Sequence, residues 1–171
     1  MGKKIAGVVL AGGKSSRMGQ NKALLDYNGQ PLLVHMIEIL KQAGLEDIYV
    51  SGDLKGYRCI PDNAPHEGPA HAIVDVLKAL DNYDGVLFVP VDMPLLSAEM
   101  LKLLIREKKG GYFMGSPLPV LITEACFEKP AKSVKALLES LRVYPIILPP
   151  ELEDCMINTN TPQEWARVLR A

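Results

Sequence analysis

Glycine and positive charge are concentrated in one stretch of this chain, Leu10-Ala-Gly-Gly-Lys-Ser-Ser-Arg-Met-Gly-Gln-Asn-Lys22. Gly12 and Gly13 can take positive φ and let a ligand come close to the backbone. Arg17 can fork onto two phosphate oxygens, whereas Lys14 and Lys22 act as point charges. Exposed N–H groups beside such cations suit a nucleotide triphosphate, and an ordinary Gly/Ser turn is the bland alternative. Two familiar phosphate loops are excluded. A Walker A loop needs a glycine where Val8 stands, and Gly12, Gly13 and Gly19 do not have the G-x-G-x-x-G spacing.

Two aspartates are the next candidates. Asp92 directly follows the apolar run Gly85 to Val91, and Met93-Pro94 then turns the chain away. A carboxylate at such a strand end could hold Mg²⁺, which prefers one or two carboxylates plus phosphate oxygens. A turn-forming or helix-capping role is the alternative. Asp62, in Pro61-Asp62-Asn63, reads equally as a turn former and as a ligand. His35 and His66 complete no metal or nucleophile spacing, whereas His71, at a helix start, reads either as a contact to a phosphate or the second substrate or as a structural residue. Met93, Met100 and Met114 are expected to pack in the core or its loops.

The surrounding elements explain why these residues should meet. Ile5 to Leu10 predicts a buried strand, and Pro31 through Leu40 a helix that Gly44 closes. Strands are predicted at Asp47–Ser51, Arg58–Ile60 and Gly85–Val91, and helices from Ala70 to Leu80 and after Ser97. Beyond Gly110 the pattern loosens. Strand-like residues lie between Gly and Pro breaks up to Ile122, then come a helix from Lys132 to Leu141 and a strand from Val143 to Leu148. Thr161-Pro162 starts a terminal helix. Alternating strands and helices predict an α/β fold with three α/β/α layers, Rossmann-like, around a mostly parallel central sheet. Such sheets bind ligands beyond the carboxyl ends of their strands, so the segments after Leu10, around Asp62 and after Val91 should converge.

Composition sets the outer bounds. With 171 residues, 48% hydrophobic and 23% charged, the chain is expected to form one domain over residues 1–171. A formal charge of −1 argues against a general nucleic-acid binder. Cys59, Cys126 and Cys155 form no C-x-x-C pair, which argues against a disulfide scaffold or structural zinc. With no signal peptide and no long apolar stretch, a soluble cytoplasmic protein without membrane association is expected.

The stretch Leu10 to Leu25 also resembles a family signature, Leu-Ala-Gly-Gly-x-Ser-x-Arg-Met-Gly-x-x-Lys-Ala-Leu-Leu, with each named position matched. That signature is similar to the nucleotidyltransferases that build molybdopterin guanine dinucleotide, a branch of the fold group containing the sugar-phosphate nucleotidyltransferases. Asp92-Met-Pro-x-Leu resembles their metal-binding segment, Pro117 to Leu121 their Pro-Leu-Pro-Ala-Leu stretch, and Asn158-Thr-Asn160-Thr-Pro162 their Asn-x-Asn-Thr-Pro. The resemblance implies GMP transfer from MgGTP to the terminal phosphate of the molybdopterin cofactor. It assigns Leu10, Ala11, Gly12, Gly13, Lys22, Asp62 and Asp92 to the nucleotide, Arg17, Lys22 and Asp92 to catalysis, and Asp92 to Mg²⁺. Asn158 and Asn160 are implied as acceptor or metal support; from the residues alone, Asn160 is a helix N-cap with an Asx-turn. Other molybdenum-cofactor proteins and acceptor molybdoenzymes are the implied partners.

Two departures stand out. Ala70-His71-Ala72 replaces the family's Leu-x-Gly after Gly-Pro, and Ser51-Gly52-Asp53 stands where an asparagine is common. The second weakens guanine selectivity and keeps a cytidylyltransferase in view. A non-catalytic nucleotide sensor and a molybdoenzyme assembly factor are the alternatives of another class.

Overall fold

The computed structural model describes residues 2–12, 21–64, 67–126 and 130–170. β1 (Ile5–Leu10) ends at the glycine-rich loop. Lys22–Leu24 make a 3-10 turn capped by the Asn21 side chain, whose Oδ1 accepts from the Ala23 amide. A hairpin of β2 (Asp26–Tyr27) and β3 (Gln30–Pro31) follows. Asn28 and Gly29 both have positive φ, 53° and 85°, as a type I′ turn requires. Pro31 therefore belongs to the hairpin and stands at the N-cap of α1 (Leu32–Gln42), one place earlier than its composition suggested. Gly44, at φ 96°, closes α1 as expected.

β4 (Ile48–Ser51), β5 (Cys59–Ile60), α2 (Pro69–Ala79), β6 (Gly85–Pro90) and α3 (Ala98–Ile105) then alternate as predicted. Ser97 caps α3 by accepting from the Met100 amide. β7 (Gly111–Phe113), β8 (Val120–Ile122), α4 (Val134–Ser140), β9 (Pro145–Ile146), a 3-10 segment Pro150–Met156 and α5 (Pro162–Val168) complete the order. α4 starts later than its apolar pattern suggested because Ser133 takes the cap. β9 keeps only two of the six residues with strand character.

The larger sheet runs β5-β4-β1-β6-β8-β7-β9. β8 alone runs against the others, antiparallel to both β6 and β7. Side chains alternate across the sheet as strand geometry demands. On β1 and β6, Ala6, Val8, Leu10, Val86 and Phe88 pack under α2 and α4. Val9, Leu87 and Val89 face the other layer, with α1, α3 and Val168 of α5. These two apolar layers make the α/β/α sandwich. Phe88 and Leu87 are fully buried, and burying each contributes roughly 1.5–3 kcal/mol.

The chain leaves β1 toward β4 on one side, and returns from β5 through α2 to β6 on the other. Strand order therefore reverses between β1 and β6, where successive connections diverge and open a crevice at the carboxyl ends. Among the described residues no helix is long and apolar enough to cross a membrane.

Candidate functional site

A cleft of about 390 Å³ occupies that crevice. Leu10, Ala11 and Gly12 from the end of β1, Pro90 to Met93 from the end of β6 onward, and Asp62 after β5 line it. Lys22, Asn158, Ser51, the Gly68-Pro69 start of α2 and the link from β7 to β8 at Ser116–Leu118 complete its walls. The three segments expected to converge do so. Gly13 and Arg17 lie outside the described residues, as do Lys14 and His66.

Backbone hydrogen bonds hold the floor. The Ala11 amide donates to the Ser51 carbonyl at 3.2 Å, and the Val91 amide to the Leu10 carbonyl at 3.2 Å. Gly12 and Gly52 lie back to back: a Cβ on Gly52 would come within 3.5 Å of the Gly12 amide nitrogen, and Gly52 has φ 136°. A side chain at Gly52 would be strained by its backbone and would crowd the loop that carries Gly12.

Asp92 is fixed from a distant part of the chain. Thr159, fully buried, donates to its carbonyl twice, from the amide at 2.8 Å and from Oγ1 at 3.0 Å. The Asn158–Asn160 segment is thereby fastened beside the carboxylate. Burial pushes the Asp92 carboxyl above the usual carboxylate range, and the Lys22 ammonium pulls the other way. Lys22 Nζ also donates to Asn160 Oδ1 at 3.3 Å.

Asn160 does not cap the terminal helix; Thr161 does. Thr161 Oγ1 accepts from the Glu164 amide at 3.2 Å, and Glu164 Oε2 accepts from the amides of Asn160 and Thr161 at 2.7 and 2.9 Å. This capping box leaves the Asn160 side chain turned to Lys22. Asp62 is both things the sequence left open, because Oδ1 accepts from the Ala64 amide at 3.0 Å while the residue lines the cleft. His71 is paired with Glu67, Nδ1 to Oε2 3.2 Å, and does not line the cleft.

The described His, Cys, Asp and Glu residues form no cluster of three that could hold a metal ion by themselves. Asp92 fits a cation completed by ligand phosphates instead: a half-buried carboxylate at a strand end, in a cleft shared with Asp62. Sequence reasoning missed Thr159 and Ser116, while Pro117 and Leu118 of that wall belong to the Pro117 to Leu121 stretch picked out by resemblance. Thr159 stands between the two asparagines already singled out, and that position was the available signal.

Comparisons with known proteins agree with this geometry. Residues 7–142 match the model of the MobA-like NTP transferase domain. The chain is 36% identical to a molybdenum cofactor guanylyltransferase of Xanthomonas euvesicatoria, covering 95% of this chain and 93% of the relative. Among solved structures it resembles the molybdopterin-guanine dinucleotide biosynthesis protein A of Archaeoglobus fulgidus, with TM-score 0.69, 19% identity and coverage of 96% and 97%. It also resembles a Mycobacterium tuberculosis protein solved in complex with manganese, with TM-score 0.69, 19% identity and coverage of 98% and 99%. At such identities the structural likenesses establish the fold.

Proposed function

Since the chain belongs to the MobA-like NTP transferase family, we propose that residues 1–171 form one nucleotidyltransferase domain that moves GMP from GTP to the terminal phosphate of the molybdopterin cofactor. An acceptor phosphate oxygen attacks the α-phosphorus, the bond from that phosphorus to the bridging oxygen of the β-phosphate breaks, and pyrophosphate leaves. The acceptor is already an anionic nucleophile, so the protein needs no serine or cysteine for the attack. Its work is alignment and charge stabilisation.

The observation that carries this reading is the meeting, in one cleft, of the β1 loop, Lys22, Asp92 and the Asn158–Asn160 segment. Leu10, Ala11 and Gly12 present backbone to the nucleotide, Gly13 extends that cradle, and Asp62 contributes a carboxylate. Lys22 and Arg17 meet the triphosphate and the departing pyrophosphate. Asp92 would hold Mg²⁺, which when bound supplies positive charge against the phosphate oxygens. Asn158 and Asn160 flank the acceptor side, and Asn160 orients the Lys22 ammonium without neutralising it. The reaction belongs in the cytoplasm, with GTP and molybdopterin as substrates and other molybdenum-cofactor proteins and acceptor molybdoenzymes as partners.

One observation favours a second reading within the family. Ser51, buried at the end of β4 and lining the cleft, is a shorter group than asparagine for recognising a base, which leaves room for a cytidylyltransferase. Pyrophosphate release with Mg²⁺, molybdenum-loaded molybdopterin and GTP, CTP or ATP in parallel decides between them. Acceptor-dependent release with GTP alone is the expected result. Release with CTP moves the chain to the cytidylyl branch, and silence despite nucleotide binding returns it to the sensor or assembly-factor class. Asp92→Asn should lower the rate roughly 10²–10³-fold.

A further inference from the structure

The segment carrying Asp92 is held at three points. The Val91 amide is bonded to Leu10, and the Asp92 carbonyl to Thr159. The third point lies downstream, where the Pro94 carbonyl accepts from His35 Nε2 at 2.7 Å. A carbonyl only accepts, so this nitrogen carries the proton.

His35 comes from α1, outside the cleft lining, and its ring does a second thing. It packs on Tyr27 with centroids 4.4 Å apart, and Tyr27 packs on Trp165 at 5.9 Å. Tyr27 belongs to the hairpin that follows Lys22, and Trp165 to the helix that follows Asn160. The supports of the cation, the carboxylate and the asparagine therefore touch one aromatic cluster. His35 is the member of that cluster that also grips the carboxylate's own loop.

We propose that His35 is a positioning residue for the metal-holding carboxylate: its Nε2–H fixes the Pro94 carbonyl and so sets where Asp92 stands relative to Lys22. This rests on the assignment of Asp92 as the metal ligand. The ring contact alone would make His35 a packing residue. A hydrogen bond to the turn after Asp92 makes metal affinity depend on a donor at this place.

The two roles separate by substitution. His35→Phe keeps a ring against Tyr27 and cannot donate, and His35→Leu is a smaller donor-less variant should the larger ring prevent folding. His35→Gln loses the ring but offers an N–H at similar reach. Mn²⁺ binding to the protein with GTP and no acceptor, read by electron paramagnetic resonance, needs no turnover. Asp92→Asn is run beside the others, and each variant is first shown to unfold cooperatively on heating.

The donor-less variants should bind Mn²⁺ roughly fivefold more weakly, as loss of one hydrogen bond implies, with His35→Gln within about twofold of the parent. Wild-type Mn²⁺ binding by the donor-less variants, with Asp92→Asn impaired, overturns the inference and leaves the assignment of Asp92 standing. Equal weakening in His35→Gln and the donor-less variants overturns it as well, because the donor is then not what matters. Undiminished Mn²⁺ binding by Asp92→Asn overturns the assignment of Asp92 and the inference with it.

Discussion

Lys22 and Asn160, separated by 138 positions in the chain, meet at the cleft, with Nζ donating to Oδ1 at 3.3 Å. A neutral amide directs the ammonium without adding negative charge beside it; a carboxylate in its place would add one to those of Asp92 and Glu164, which the ammonium already faces. Lys22→Ala should therefore cost roughly 10²–10³-fold in kcat/KM for GTP. Asn160→Asp should cost more than Asn160→Ala, because it sets a further carboxylate against the triphosphate as well as moving the lysine. Steady-state pyrophosphate release measures all three, and an aspartate variant more active than the alanine variant would refute the charge argument.

Thr159 supports Asp92 through two donors, only one of which belongs to its side chain. Thr159→Val is close in shape and keeps the amide bond, so it isolates the hydroxyl. Loss of that bond in a buried place should lower stability by about 1 kcal/mol in urea unfolding, with Thr159→Ser losing less. The valine variant should also lose affinity for Mn²⁺, since the Asp92 carbonyl is then held once.

Much of this arrangement was legible in the sequence, and for identifiable reasons. β1 and β6 are continuous apolar runs ended by Gly12 and by Asp92-Met-Pro, so both the strands and their ligand-side ends could be read locally. The hairpin at Asp26–Pro31 escaped notice although Asn28-Gly29 is a strong turn pair, because its strands have two residues each and show no alternation. The reversed direction of β8 was not legible, since pairing direction depends on the Ser116–Leu118 link and not on strand composition.

Side-chain roles followed the same division. Asp62 could be read both ways and serves both ways. Asn160 looked like the helix cap because it precedes Thr-Pro, but the capping box needs its acceptor at Thr161, three residues before Glu164. Met93 and Met100 are buried as expected, while Met114, directly after β7, is 63% exposed. His35 offered no spacing signal at all, since its partner Pro94 lies 59 positions away in the chain.

Glu164 gives the site a defined response to acid. The Asn160 amide is the main cause holding its carboxyl below the usual range, with the Thr161 amide and hydroxyl and Lys22 adding to it. A folded-state value below the unfolded one means stability that is present above the unfolded value and lost as pH falls through the folded one. Thermal unfolding should therefore show an acid-dependent loss below the ordinary glutamate range. Glu164→Gln keeps an acceptor for both amides and should flatten that part of the profile. A variant with the parent's full acid dependence would place the titrating group elsewhere.

Gly110 provides a test in which stability and chemistry should part. It precedes β7 with φ 76°, and a Cβ there would run into the Leu121 carbonyl of β8. Backbone carbonyls in a sheet cannot yield as a flexible side chain can. Gly110→Ala thus combines a left-handed backbone cost with a collision against the strand that joins β6 to β7, and should destabilise the fold by at least about 2 kcal/mol. Gly110 does not line the cleft, so below the unfolding transition the KM for GTP should stay within about twofold of the parent, a span that corresponds to under about 0.5 kcal/mol. Urea unfolding and steady-state kinetics on the same preparation read both quantities. A large rise in KM without loss of stability would mean that the β7–β8 pair tunes the cleft through its Ser116–Leu118 link.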